Sequence, residues 1–210
     1  MIENKLLKTI IIATGLLFPS LLAPQPITAT FSSKEKSEIN RIEVYLNGIK
    51  SLRADFLQVS SNGNMATGKL YMARPGKIRF EYDPPSPILL LSDGYFLRYV
   101  DKDLEQVTHL WLDNTPLGFL LDEDIKLSES TTVTKFSQNA SVLIIGLKNS
   151  EKPEQGAISL IFSDKPLKLK KWVIKDAQGV TTTITLNNSK RAIEINPTLF
   201  KLTDVEKNYK

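Results

Sequence analysis

The sequence predicts a mainly β protein, a barrel or sandwich of short antiparallel strands entered through one amphipathic helix. Two patterns carry that prediction. Ile39, Ile42, Leu46 and Ile49 recur at helical spacing, with Glu38, Arg41, Glu43 and Lys50 mostly off the stripe. From residue 52 onward the chain reads instead as short runs with period-two alternation, broken by Gly, Pro, Asn and Asp. Nothing in it alternates strand with helix in the βαβ manner, and no internal repeat or linker divides it. With 41% hydrophobic and 24% charged residues over 210 positions, the composition suits a single domain with its own core.

The chain opens on a targeting pattern. Lys5 and Lys8 give a positive n-region, residues 9–23 are mostly apolar with Pro19 inside the run, and Ile27-Thr28-Ala29 supplies a small residue at the cleavage position. The apolar run is too short and too broken by proline to span a bilayer. Residues 1–29 are therefore expected to be removed on export, leaving 30–210 as one domain.

Ser32, with Glu35 three residues on, predicts a capping box at the start of the helix, and Gly48 weakens its last turn. Strands are expected over 52–60, 67–72 and 77–82, the last alternating Ile78, Phe80 and Tyr82 on one face. The proline-rich stretch Asp83-Pro84-Pro85-Ser86-Pro87 ends it, since proline donates nothing to a ladder. Residues 88–91 and 95–100 predict a hairpin turning on Asp93-Gly94, with Leu90 opposite Leu97 and Ile88 opposite Tyr99. Those four share one face; Leu89, Leu91 and Phe96 share the other beside Arg98, so the hairpin is expected to be covered twice. Further strands are expected over 104–110, 131–136, 140–147, 157–163, 168–175 and 180–186, a short helix over 114–121 and a last short strand over 200–202.

The inventory of reactive side chains points to binding. The absence of cysteine excludes disulfides, thiolate metal sites, a cysteine nucleophile and a lipid carried on an N-terminal cysteine. A single histidine, His109, has no Gly-x-Ser-x-Gly or other serine-centred motif near it. Asp101 and Asp103, and Asp122-Glu123-Asp124, fall in turns without an EF-hand pattern. Lys and Arg number 27 against 23 Asp and Glu, and no basic block interrupts the mixture, so nucleic acid is a poor partner.

Five segments in order then give the chain a resemblance. They are Phe56-x-Gln58, the run from Gly68 to Phe80 (Gly-Lys-Leu-Tyr-Met-Ala-Arg-Pro-Gly-Lys-Ile-Arg-Phe), residues 88–94 ending Leu-Ser-Asp-Gly, Gln106-Val107-Thr108, and Thr115-Pro116 with Leu120-Leu121. Together they resemble the periplasmic outer-membrane lipoprotein carriers, the LolA family, over roughly residues 39–202. The resemblance implies an open, incomplete antiparallel β-barrel whose helices form a lid over an apolar cavity. It implies a periplasmic, monomeric carrier, without enzymatic activity, metal or cofactor. Such a carrier takes acylated lipoproteins from an inner-membrane ABC-type exporter to an outer-membrane acceptor lipoprotein or to the outer membrane itself.

On that resemblance, Ile78, Phe80, Tyr82, Ile88, Leu90, Leu97 and Tyr99 are candidates for the acyl-binding wall, and Ile42, Leu46 and Ile49 for the underside of the lid. Arg74, in the Arg-Pro pair, is the candidate latch: the resemblance implies that its guanidinium holds lid backbone carbonyls when the cavity is empty. Taken one at a time, each apolar candidate also fits ordinary core packing. A different binding role on the same open barrel, a periplasmic lipid sensor or regulator, is the alternative.

Overall fold

The first helix starts where its cap allows. The Ser32 hydroxyl accepts the Glu35 N–H at 3.3 Å while the Glu35 carboxylate accepts the Ser32 N–H at 2.8 Å, satisfying two of the end donors reciprocally. In the computed structural model, which describes residues 30–127, 131–149, 151–203 and 206–209, this helix is α1, Ser33–Asn47. The targeting segment expected over 1–29 lies outside the described residues. Gly48 caps the C-terminal end, so Ile49 follows the helix rather than closing its stripe, yet it is as buried as Ile42 and Leu46.

Six strands then run in sequence: β1 (Ser51–Ser60), β2 (Met65–Ala73), β3 (Lys77–Tyr82), β4 (Ile88–Asp93), β5 (Phe96–Asp101) and β6 (Gln106–Trp111). A 3-10 turn, Leu112–Asn114, leads into α2, Pro116–Leu121, with proline at its first turn where a missing N–H costs nothing. Five more strands follow: β7 (Thr131–Asn139), β8 (Val142–Asn149), β9 (Ala157–Ser163), β10 (Lys168–Lys175) and β11 (Thr181–Arg191). All belong to one 11-stranded antiparallel sheet in the order β6-β5-β4-β3-β2-β1-β11-β10-β9-β8-β7. The strands on either side of α2, β6 and β7, are thus the two outer edges and do not pair. The barrel is open at that seam, and α2 lies in the connection that spans it.

Pleat parity puts one apolar set on the inner face. Ladder partners Ala54, Leu70, Phe80 and Leu90 lie in one row, and Ile184, Trp172, Leu160 and Ile145 in another. These side chains form a continuous cluster with Ile42 and Leu46 of α1, Leu117, Leu120 and Leu121 of α2, and Ile125 and Leu127 beyond it. Phe56 stands edge-on to Phe80 at 5.3 Å and to Tyr82 at 5.2 Å, adding aromatic contact to the burial.

Two expectations are corrected. The β4–β5 hairpin turns on Gly94-Tyr95 rather than Asp93-Gly94, so Ser92 opposes Leu97 and Leu90 opposes Tyr99. Gly94, at φ +120°, takes the first turn position, and the Asp93 carboxylate accepts the Tyr95 and Phe96 N–H groups while pairing with Arg98 at 2.7 Å. The register moves by two residues, which preserves the faces. The strand expected over 200–202 is instead a 3-10 turn, Pro197–Phe200, capped by the Asn196 side chain on the Thr198 N–H.

That turn supplies the second cover of the hairpin. Phe200 packs on Leu89, Leu91 and Val100 on the outer face, with Ile195, Leu202 and Tyr209 around it, and Arg79 donates to the Leu199 carbonyl at 3.0 Å. Replacing Phe200 by Ala is expected to destabilise the protein by about 3 kcal/mol or more. The denaturant midpoint measures it, and an unchanged midpoint would remove the C-terminal segment from the folded core.

Candidate functional site

The inner face of the sheet, its helical cover and the residues fastening the two together make up the site. Of the wall candidates, Ile78, Phe80 and Leu97 are buried in the inner cluster, and Tyr82 and Leu90 pack against it half-buried. Ile88, the first residue of β4, pairs with Asp101 rather than Tyr99 and lies outside the cluster. Tyr99 shares the inner face but is 44% exposed, at the rim beside the open edge. The lid candidates Ile42, Leu46 and Ile49 lie in the same cluster as Ile78 and Phe80, so the concave face is closed by packed side chains. Burial raises the Tyr82 phenol to about 12, reinforced by Tyr99, although the bond its hydroxyl donates to Gln58 Oε1 at 2.8 Å acts the other way.

A crevice lies under the flank of α1, lined by Tyr45, Ile49, Leu52, Leu167, Leu169 and Leu186, with a volume of about 240 Å³. That is below the usual size of a site for even a drug-sized ligand. A larger apolar occupant therefore does not fit this crevice while the cover is in place.

The cover is fastened by polar contacts at its ends. Arg74 belongs to the turn between β2 and β3, where Gly76 adopts φ +72° and a Cβ would lie 2.5 Å from the Gly94 Cα. From that turn the guanidinium reaches both helices. It donates to the Leu46 carbonyl at 2.6 Å and the Ile49 carbonyl at 3.4 Å at the end of α1, and to the Asn47 Oδ1 at 3.3 Å. Beyond α2 it donates through Nε to the Asp122 carbonyl at 2.7 Å, through Nη2 to the same oxygen, and to the Glu123 carbonyl at 3.3 Å. The Gly76 N–H adds a bond to the Leu121 carbonyl at 2.8 Å. Helix C-termini leave carbonyls unpaired and partly negative, and α1 has no basic residue in its own last turn. Arg74 brings the missing donors and charge from the sheet. Partial burial pushes its guanidinium down from its ordinary value, opposed by Asp122 and Asp124, and it remains a cation.

Two residues in this fastening were not singled out from sequence. Asn47 exchanges two hydrogen bonds with the backbone of Ile125, donating at 2.9 Å and accepting at 2.8 Å, and Glu43 accepts the Leu127 N–H at 2.8 Å. They bind residues 125–127 to α1 as a strap. A polar residue on a helix surface carries no sequence signal for this, since its partner is a backbone group in a loop 78 positions away. Farther along α1, Arg41 pairs with Asp164 at 2.5 Å and the Tyr45 hydroxyl accepts the Leu169 N–H at 2.9 Å.

Of the residues weighed for chemistry, Asp122 and Glu123 enter the fastening through their backbone carbonyls, while Asp101, Asp103 and His109 lie elsewhere. Asp101 accepts the Asp103 and Leu104 N–H groups in a turn, and His109 stands on the exposed edge strand β6, edge-on to Phe96 at 6.0 Å. Among the described residues, no three carboxylates or histidines gather as a metal site, and no helix is long and apolar enough to cross a membrane.

The family model described as "Outer membrane lipoprotein carrier protein LolA" matches residues 47–203. An outer-membrane lipoprotein carrier protein of Chromobacterium violaceum is 38% identical over 95 residues, covering 44% of this chain and 46% of that protein. One of Nitrosomonas europaea is 26% identical over 211 residues, covering 92% of this chain and 96% of that protein. A crystal structure of a LolA superfamily protein from Nitrosomonas europaea aligns with a TM-score of 0.43 at 8% identity, over 78% of this chain and 97% of that one.

Two outcomes test the fastening. Arg74→Leu is expected to raise the hydrogen-exchange rates of the Ile125 and Leu127 amides at least about ten-fold, since bonds from a charged donor are lost at both helix ends. Unchanged exchange would show that the guanidinium does not hold the strap. The Arg41 guanidinium holds the Asp164 carboxyl below the usual range, with Gln138 and Lys165 adding to the effect. A carboxyl lowered by folding stabilises above its unfolded value and loses that contribution as pH falls through its folded one. Asp164→Asn should therefore flatten the loss of stability below about pH 4, seen in acid denaturation followed by circular dichroism.

Proposed function

Because the chain belongs to the LolA family of outer membrane lipoprotein carriers, we propose that its inner face shelters the acyl chains of lipoproteins in the periplasm. In this reading residues 1–29 direct export, and 30–210 form one carrier domain. It takes its cargo from an inner-membrane ABC-type exporter and passes it to an outer-membrane acceptor lipoprotein, or to that membrane directly, and it performs no chemistry.

The observation that carries the reading is the division of labour in the cover. Its underside is apolar and non-directional, while its attachment is polar and concentrated on Arg74. The buried side chains of the cover, Ile42, Leu46 and Ile49 with Leu117, Leu120, Leu121, Ile125 and Leu127, contribute roughly 12–24 kcal/mol by their contact with the sheet. Each buried methylene of a fatty chain contributes about 0.8 kcal/mol, so several chains bring tens of kcal/mol. Loading by several chains can therefore displace the lid with a margin to spare. The margin itself is a difficulty for a shuttle, which has to let go. Breaking the Arg74 bonds on loading, and remaking them on release, offsets part of the binding energy and favours return to the closed form.

Arg74→Leu is expected to load acylated lipoprotein as the parent does and to hold it about ten-fold or more tightly. Transfer of a labelled triacylated lipoprotein from the purified carrier to outer-membrane vesicles measures this. Release at the parental rate would take Arg74 out of the mechanism, and failure of the parent protein to take up the lipoprotein would end the carrier reading.

A further inference from the structure

The indole of Trp172 stands apart from the rest of the inner face. Its side chain is 0% exposed and its Nε1–H has no hydrogen-bond partner, the one such buried side-chain nitrogen or oxygen among the described residues. Its ladder partners on β9 and β11 are Leu160 and Ile184, and the ring of Phe80 stands edge-on at 6.4 Å. None of these accepts a hydrogen bond in the usual sense. Burying a donor without a partner is costly, and native cores rarely keep one. A phenyl ring in its place would bring no such cost.

The position of the donor gives it a use. Trp172 lies in the cluster formed between the sheet and the underside of the lid, the surface exposed when the cover lifts. Fatty tails offer no acceptor, but each acyl group is joined to its carrier through a carbonyl, in an ester or an amide, which accepts without donating. Resting on the carrier reading above, we propose that the Trp172 Nε1–H hydrogen-bonds an acyl carbonyl of the bound lipid. It makes the site selective for acyl over equally apolar alkyl chains. The closed form leaves the donor unpaired and the loaded form satisfies it, so the same group favours loading and fixes how deep the head of a chain sits.

Two synthetic lipopeptides of one peptide sequence test this, one carrying two palmitoyl esters and the other two hexadecyl ethers. The protein is expected to bind the ester form roughly five-fold more tightly, the effect of one neutral hydrogen bond. Trp172→Phe should abolish that preference by weakening the ester form alone. The chain has two tryptophans, Trp111 and Trp172, so the variant also assigns the two indole signals in a ¹⁵N-correlated spectrum. The Trp172 indole proton should move downfield with the ester lipopeptide and not with the ether. Equal affinities in the parent protein, an unmoved indole proton, or a preference retained in the variant would each overturn the assignment while leaving the carrier reading in place. Binding of neither lipopeptide would overturn both. The parent measurements decide the matter whether or not the variant folds.

Discussion

An apolar face on the inside of an unclosed sheet has to be covered by something, and in this chain the cover is not part of the sheet. A closed barrel fills its interior with its own side chains. Here the successive strands β6 and β7 are sent to opposite edges, so the interior is completed by α1, α2 and the strap over residues 125–127. The cover is therefore a separate layer that has to be held on a greasy surface. Apolar contact alone would hold it without orientation. Polar contact alone would not exclude water.

The fastening resolves this by using groups that the lid has to satisfy in any case. The last carbonyls of a helix lack partners within it, and two helix ends converge on one turn of the sheet. A lysine there would bring a point charge on a flexible stem. The guanidinium brings a planar fork of donors that addresses both ends at once while staying ionised when half-buried. Since its acceptors other than Asn47 Oδ1 are backbone carbonyls, the arrangement depends more on where the helices end than on which side chains they carry. Gly48, which caps the end of α1, thus belongs to the same device as Arg74.

Much of this was legible in the residues. Alternation in β3 and in the β4–β5 hairpin put Ile78, Phe80, Leu90 and Leu97 on one face, and pleat parity held even where the turn was misplaced by a register of two. The capping box fixed the start of α1 because both partners are local. What stayed hidden was contact between distant segments. Asn47 reads as a solvent-facing helix residue until Ile125 is laid against it, and the side chain of Trp172 reads as ordinary core until the absence of an acceptor around it is seen. Phe200 looked like a strand residue because a short apolar run has no period of its own. Its role is set by the outer face of β4 and β5, about a hundred positions earlier in the chain.

That outer face gives the hairpin a source of stability that does not depend on the cover. If the lid lifts, Ile78, Phe80 and Leu97 lose part of their packing, and a hairpin with only that face buried would lose its main source of stability. The second cluster, Leu89, Leu91, Val100 and Phe200, shares no buried residue with the first. It is closed by chain that runs on from the sheet, secured by the Arg79 bond to Leu199 and by Glu206. Burial raises the Glu206 carboxyl, but the backbone and hydroxyl of Thr203, with Lys102 and Arg79, outweigh it and keep the net direction downward, in the ionised state. In the proposed carrier, the part of the sheet nearest the open edge would therefore keep one core while the other opened to a ligand. The hairpin is apolar on both sides because both faces are covered: one by the C-terminal segment, and the other by the layer that the carrier reading makes removable.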